Sequence, residues 1–242
     1  MSIPTDLTPD YEQRHRAELL LLVSALVLLA VSAVPAQHGE ISGAERHVFR
    51  WVNDLPDALY WPTAVVMQAG NVVAVLVAAL LALAFRRYRL AIGLAVAGLG
   101  AYVVARAVKD VVQRGRPGDL LDQLHQRGGH VGGFGYVSGH AAVAFAVVTV
   151  ATMWLGPRAR IVTWGVAVAV AFARVYVGAH LPLDVVGGAA VGVACGAAVR
   201  ILIGARRHGA TRPSPKANDS LSSPRSHVGS VPAAEHPREA AG

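Results

Sequence analysis

The sequence predicts an all-α protein, a polytopic membrane bundle of six transmembrane helices. Three observations carry that prediction. Hydrophobic residues make up 54% of the chain and charged residues only 15%, against about 45–50% and about 25% in ordinary soluble domains. The apolar residues gather into six runs, close to the roughly 20 residues a helix needs to cross a bilayer. Clusters of basic residues fall at every second connection between those runs, all on one side of the implied membrane, as the positive-inside rule requires of cytoplasmic loops.

The runs cover residues 19–36, 63–85, 90–108, 140–155, 161–177 and 182–204. The first follows Arg14 and Arg16 and ends at Val34-Pro35-Ala36, which also resembles a secretory leader and its cleavage site. Its apolar run exceeds the usual core of such a leader, so a retained helix is the expectation. The fourth run is short and must extend or tilt to span. All six are rich in Ala, Val and Gly, small residues that let helices approach closely where no hydrophobic force drives their association.

Arg86, Arg87 and Arg89 separate the second and third runs, Arg158 and Arg160 the fourth and fifth, and Arg206 and Arg207 follow the sixth. Together with Arg14 and Arg16 they place both termini in the cytoplasm. A formal charge of +7 would suit nucleic acid or a membrane surface. Its distribution follows membrane topology, and no nucleic-acid partner is expected. The single cysteine, Cys195, lies in an apolar run; this excludes a disulfide framework within the chain and argues against a cysteine zinc site. Residues 1–208 read as one membrane domain. From Thr211 onward the chain is rich in Pro, Ser and Ala, so residues 209–242 read as a disordered cytoplasmic tail.

The first outer loop carries Arg46 and Arg50 beside Glu40, Glu45, Asp54 and Asp57, with Trp51, Tyr60 and Trp61 suited to an interfacial aromatic belt. The second breaks the charge rule with Lys109, Arg114, Arg116 and Arg127. Arg114 reads as an auxiliary headgroup contact or a solvated charge. His125 and His130 share that loop with Asp119 and Asp122, but their spacing matches no strong metal motif. Gly128, Gly129, Gly132, Gly133 and Gly135 mark it as a flexible connector.

Three segments at this face carry chemistry. In Lys109-Asp-Val-Val-Gln-Arg-Gly-Arg116-Pro117 the two cations are seven residues apart, so a continuing helix would aim both at one point. An ammonium and a forked guanidinium suit a phosphate dianion. Ser138-Gly139-His140 opens the fourth run. Serine is a favoured N-cap, and the free N–H groups of a helix N-terminus attract anions. In Arg174-Val-Tyr-Val-Gly-Ala-His180-Leu-Pro-Leu-Asp184, the histidine and carboxylate are four apart, so Asp184 can fix the His180 tautomer and leave the other ring nitrogen free to attack.

Lys-x6-Arg-Pro, then Ser-Gly-His, then Arg-x5-His-x3-Asp, in that order, resembles the three-part signature of the type-2 phosphatidic acid phosphatase (PAP2) superfamily. The resemblance implies an integral-membrane lipid phosphate phosphatase working without metal or cofactor, its site at the extracytoplasmic face. It implies that Lys109, Arg116 and Arg174 grip the phosphate with Ser138 and the N–H of Gly139. His180 would attack phosphorus and form a phosphohistidine, Asp184 would orient it, and His140 would protonate the leaving oxygen. Val137 stands where the family commonly has Pro, and Ala173 where it commonly has Ser; neither removes a group with a proposed role. Substrates expected on this resemblance are a polyprenyl phosphate or diphosphate, or a phosphatidate-like lipid. Two rivals remain: a lipid-phosphate binder or transporter without catalysis, and a vanadate-dependent haloperoxidase, which shares the site pattern but in soluble enzymes.

Overall fold

The computed structural model describes residues 8–128 and 132–204. Gly129 and His130, the arginines at 206 and 207, and the expected tail lie outside them. The described residues form helices and connecting turns: α1 Thr8–Gln37, α2 Gly43–Asn53, α3 Tyr60–Met67, α4 Val72–Ala84, α5 Tyr88–Val112, the one-turn α6 Pro117–Leu120, α7 Gly139–Ala151, α8 Pro157–Tyr176 and α9 Pro182–Ile203.

Four of these, α1, α5, α8 and α9, are long and apolar enough to cross a membrane. The second predicted run is not one straight helix: α3 and α4 meet at an angle of 61°. Asn71 makes the break, its side chain accepting the Val73 N–H at 3.1 Å to cap α4. Gly70 beside it lies so close to α7 that a Cβ there would come within 2.6 Å of the His140 carbonyl oxygen. The bend therefore seats the start of α7. The fourth run is also shorter than predicted, since α7 has 13 residues, about 20 Å of helix at 1.5 Å per residue. Outward faces carry many large apolar side chains, with Leu20, Leu80, Ile161 and Leu202 exposed. So much exposed hydrocarbon belongs in lipid rather than water.

The centre is α9, packed between α7 and α1. Its contact with α7 runs along Gly188, Gly192 and Gly196, spaced four apart. A Cβ on them would meet the Ser138 carbonyl oxygen at 2.4 Å, the Ala142 carbonyl oxygen at 2.3 Å and Thr149 Cβ at 2.5 Å. Helices in lipid associate through such close backbone approach. Gly192→Leu is therefore expected to separate α7 from α9. At a loss beyond the roughly 1–3 kcal/mol of ordinary overpacking, the protein should show a markedly lower unfolding temperature in detergent.

On its other flank α1 packs as a member of the bundle, burying Ala25, Ser32 and Ala36. Glu18 pairs with Arg200 of α9 at 2.5 Å, and the Ser32 hydroxyl meets the buried Tyr136 hydroxyl at 2.8 Å.

At the end of the bundle that carries the motifs, α2 turns Glu45, Phe49, Val52 and Asn53 inward and leaves Trp51 exposed. Asn53 fastens the loop that follows α6, donating to the carbonyls of Tyr176 and His125 and accepting the His125 N–H. Arg127, one of the four cations that break the charge rule, is a strap. It binds Asp57 at 2.7 Å and the carbonyls of Asn53, Leu55 and Tyr176, and lies over the Tyr176 ring at 4.3 Å. The loop expected to be a flexible connector is thus anchored over the part preceding Gly129.

Candidate active site

Each motif meets the others at a helix terminus. Helix α5 carries Lys109 in its last turn and ends at Gln113, which adopts a left-handed conformation with φ 50°. The expectation that one helix runs through Arg116 is therefore corrected. Arg116 is extended, with φ −83° and ψ 167°, and precedes α6, which Pro117 opens. Lys109 and Arg116 converge because the chain turns between them, not because they share a helix face.

Ser138 is the N-cap residue of α7, as its type predicts, and Gly139 and His140 form the first turn. The Ser138 hydroxyl is buried without a hydrogen-bond partner. His180 lies just before α9, and Asp184 is in that helix's first turn. Both are buried. His180 Nδ1 lies 3.4 Å from Asp184 Oδ2, and the same oxygen accepts the Leu181 N–H at 2.9 Å. A carboxylate facing Nδ1 favours the tautomer with its proton there, leaving Nε2 with a lone pair.

Backbone bonds tie the segments together. Ser138 N–H donates to the Asp184 carbonyl at 2.7 Å, and Gly135 N–H to the Arg114 carbonyl at 2.7 Å. Lys109 Nζ donates to the carbonyls of Phe134 and Gly135. Arg116 donates to those of Gly132, Gly133 and Ala179. Gly135 has to be glycine, because a Cβ would sit 2.8 Å from the Gly115 carbonyl oxygen and 3.0 Å from Asp184 Oδ2. Arg174 is buried at the end of α8. The one hydrogen bond of its guanidinium among the described residues is a 3.5 Å contact to Met67 Sδ, and its Nε has none. Among the described residues, Lys109, Arg116 and Arg174 make no ion pair with a carboxylate.

These cations surround His180. Burial first, then the positive charges of Arg174, Lys109 and Arg116 with His140 beside them, hold its pKa well below the usual 6.5. That direction favours the neutral imidazole that a nucleophile needs. The sign of the linkage follows. As pH falls through 6.5, the unfolded chain takes a proton that the folded site refuses, so stability falls. The loss grows with each pH unit below that point. Thermal unfolding of the unliganded protein in detergent should show this loss on acidification, and His180→Asn should reduce it.

Two departures from the family pattern are filled with hydrocarbon: Val137 and Ala173 are both fully buried. His125 lies at the surface, 3.8 Å from Asp54. Arg114, expected at a headgroup or in solvent, is buried and paired. It forks Glu45 at 3.0 and 2.7 Å and reaches Asp184 at 3.1 Å. Sequence reasoning missed that trio. The one signal for Glu45 was Ser42-x-x-Glu45, a capping-box pattern. Ser42 does accept the Glu45 N–H at 3.1 Å, while the Glu45 carboxylate turns to Arg114.

The fold has known counterparts. LpxE of Aquifex aeolicus superimposes with a TM-score of 0.62 at 23% identity, covering 66% of this chain and 96% of that one. The first transmembrane PAP2-type phosphatidylglycerolphosphate phosphatase from Bacillus subtilis gives a TM-score of 0.58 at 18% identity, covering 74% of this chain and 94% of that one. At these identities the likeness establishes the fold. No curated protein gives a significant sequence match. The PAP2 superfamily model matches residues 87–208, about half of the chain and all three motifs. With its apolar helical bundle, the chain belongs to the PAP2 superfamily and is a multi-pass membrane phosphatase of that type.

Proposed function

We propose that this protein hydrolyses the phosphate ester or anhydride of a membrane lipid through a phosphohistidine at His180. One observation carries the reading: three cations with no carboxylate ion pair among the described residues gather around a buried histidine that a carboxylate backs. No described carboxylate forms an ion pair with those cations, and a phosphate dianion would. Phosphoryl transfer depends mainly on such positioning and charge stabilisation.

In the proposed reaction Lys109, Arg116 and Arg174 hold the phosphoryl oxygens, with the Ser138 hydroxyl and the Gly139 N–H at the start of α7. The Nε2 lone pair of His180 attacks phosphorus. The bond from phosphorus to the leaving oxygen breaks, and that oxygen takes a proton from His140. Water then attacks the phosphohistidine and passes its proton to His140. The P–N bond breaks and returns its electron pair to Nε2, releasing inorganic phosphate. Asp184 holds the Nδ1 proton throughout.

The bent α3–α4 pair and the short α7 serve as second and fourth spans in a six-span topology. Both termini face the cytoplasm, and the site opens at the extracytoplasmic headgroup level. The substrate keeps its acyl or prenyl tail in lipid. Arginine use and the Ala, Val and Gly bias fit a GC-rich bacterial chain, which favours a polyprenyl phosphate or diphosphate.

Phosphate release by the purified protein in detergent, with a chelator present, tests this. The panel is polyprenyl diphosphate, polyprenyl phosphate, phosphatidate and phosphatidylglycerol phosphate. Release from at least one, lost in His180→Ala, is expected. A folded protein that releases phosphate from none would contradict hydrolysis and leave binding or transport.

A further inference from the structure

Behind His180 lies a buried charge cluster that the three motifs do not contain as a unit. Asp184 Oδ2 faces His180 at 3.4 Å, while Oδ1 accepts from Arg114 at 3.1 Å. The remaining hydrogen bonds of Arg114 run to Glu45, a residue of α2 that is 69 positions away in the chain. The side chains of Arg114 and Asp184 are fully buried and that of Glu45 nearly so, at 4% exposure. Glu45 also accepts the Leu183 N–H at 3.0 Å. Two carboxylates therefore sit at the N-terminus of α9, where the helix dipole favours negative charge, with one guanidinium between them.

We propose that Glu45, acting through Arg114, is a positioning residue that sets both the charge and the direction of the Asp184 carboxylate. The inference rests on the reading of His180 as nucleophile. When Nε2 bonds to phosphorus, the ring keeps its Nδ1 proton and acquires a positive charge. Asp184, Arg114 and Glu45 together carry one net negative charge, which balances that ring. Glu45 also occupies the guanidinium fork, so Arg114 offers Asp184 a single bond to Oδ1 and leaves Oδ2 to His180. Without the Glu45 charge the cluster becomes neutral. Arg114 is then free to close its fork on both Asp184 oxygens, which draws Oδ2 from the imidazole. Low dielectric strengthens each of these interactions and makes an unpaired member costly.

The test compares Glu45→Gln, Glu45→Asp and Arg114→Lys with wild type on its fastest lipid phosphate, with thermal unfolding as the check on folding. Glu45→Gln keeps shape and loses charge; Glu45→Asp keeps charge at shorter reach. The expected loss of kcat in Glu45→Gln is on the order of 10- to 100-fold, comparable to removing partners that orient metal-bound histidines. KM should be unchanged, because Glu45 does not touch the phosphate, and Glu45→Asp should recover part of the rate. Wild-type kcat in Glu45→Gln, or no advantage of Glu45→Asp over it, would overturn the proposal. If Glu45→Gln does not fold, Arg114→Lys decides. A lysine reaches one carboxylate at a time, so kcat should fall at constant KM, and wild-type kcat there would refute the role. Failure of the underlying reading would appear separately, as phosphate release that survives His180→Ala.

Discussion

Replacing His180 with alanine is expected to lower kcat by on the order of 10^4-fold or more, the scale on which hydrolases lose activity with their covalent nucleophile. The phosphate-gripping groups stay in place, so the variant should still bind lipid phosphate. His180 is buried and has one side-chain partner, Asp184, so the truncation leaves Asp184 with its bonds to Leu181 and Arg114. Phosphate release and equilibrium binding of a labelled lipid phosphate, measured on one preparation, check both halves. Retained binding with lost release fits the nucleophile reading; loss of both points to collapse of the site.

The second large effect is at Arg174. Its guanidinium is buried with a sulfur as its hydrogen-bond partner and a bare Nε. A buried charge without a counter-ion destabilises the fold that holds it, so Arg174 reads as a functional group kept at a cost in stability. Arg174→Met should therefore raise the unfolding temperature of the unliganded protein. It should also reduce kcat about 10^2- to 10^3-fold, the range for removing one preorganised donor from a developing negative charge. Arg174→Lys should recover only part of the rate, because an ammonium cannot fork two phosphoryl oxygens. Unfolding curves and steady-state kinetics on the three proteins test this. A less stable Arg174→Met protein would show that the arginine serves the fold instead.

How far the sequence reaches is visible in particular residues. The motif positions were legible because their chemistry lies in short segments: Ser138 opens α7, and Asp184 lies one turn from His180. The route by which Lys109 and Arg116 meet was not. The spacing of seven suits a helix, and nothing in Gln113 announces the left-handed turn that ends α5. The break in the second run was signalled by Gly70-Asn71, a breaker and a cap that summed hydropathy passes over. Glu45 lies beyond local reading altogether. Its partner Arg114 is 69 residues away, and only the packing of α2 against α8 and α9 brings a charge from a surface-like amphipathic segment into the interior. Arg127 shows another limit: its charge stood out against the topology rule, and only its carbonyl partners reveal a strap.

The central claim is a covalent intermediate on His180, and the stereochemical course at phosphorus tests it most directly. The substrate is a lipid phosphorothioate made chiral with oxygen isotopes and hydrolysed in isotopically labelled water. Attack by His180 followed by attack of water inverts phosphorus twice, so the account predicts net retention in the released thiophosphate. Net inversion would mean a single displacement by water and would contradict the phosphohistidine.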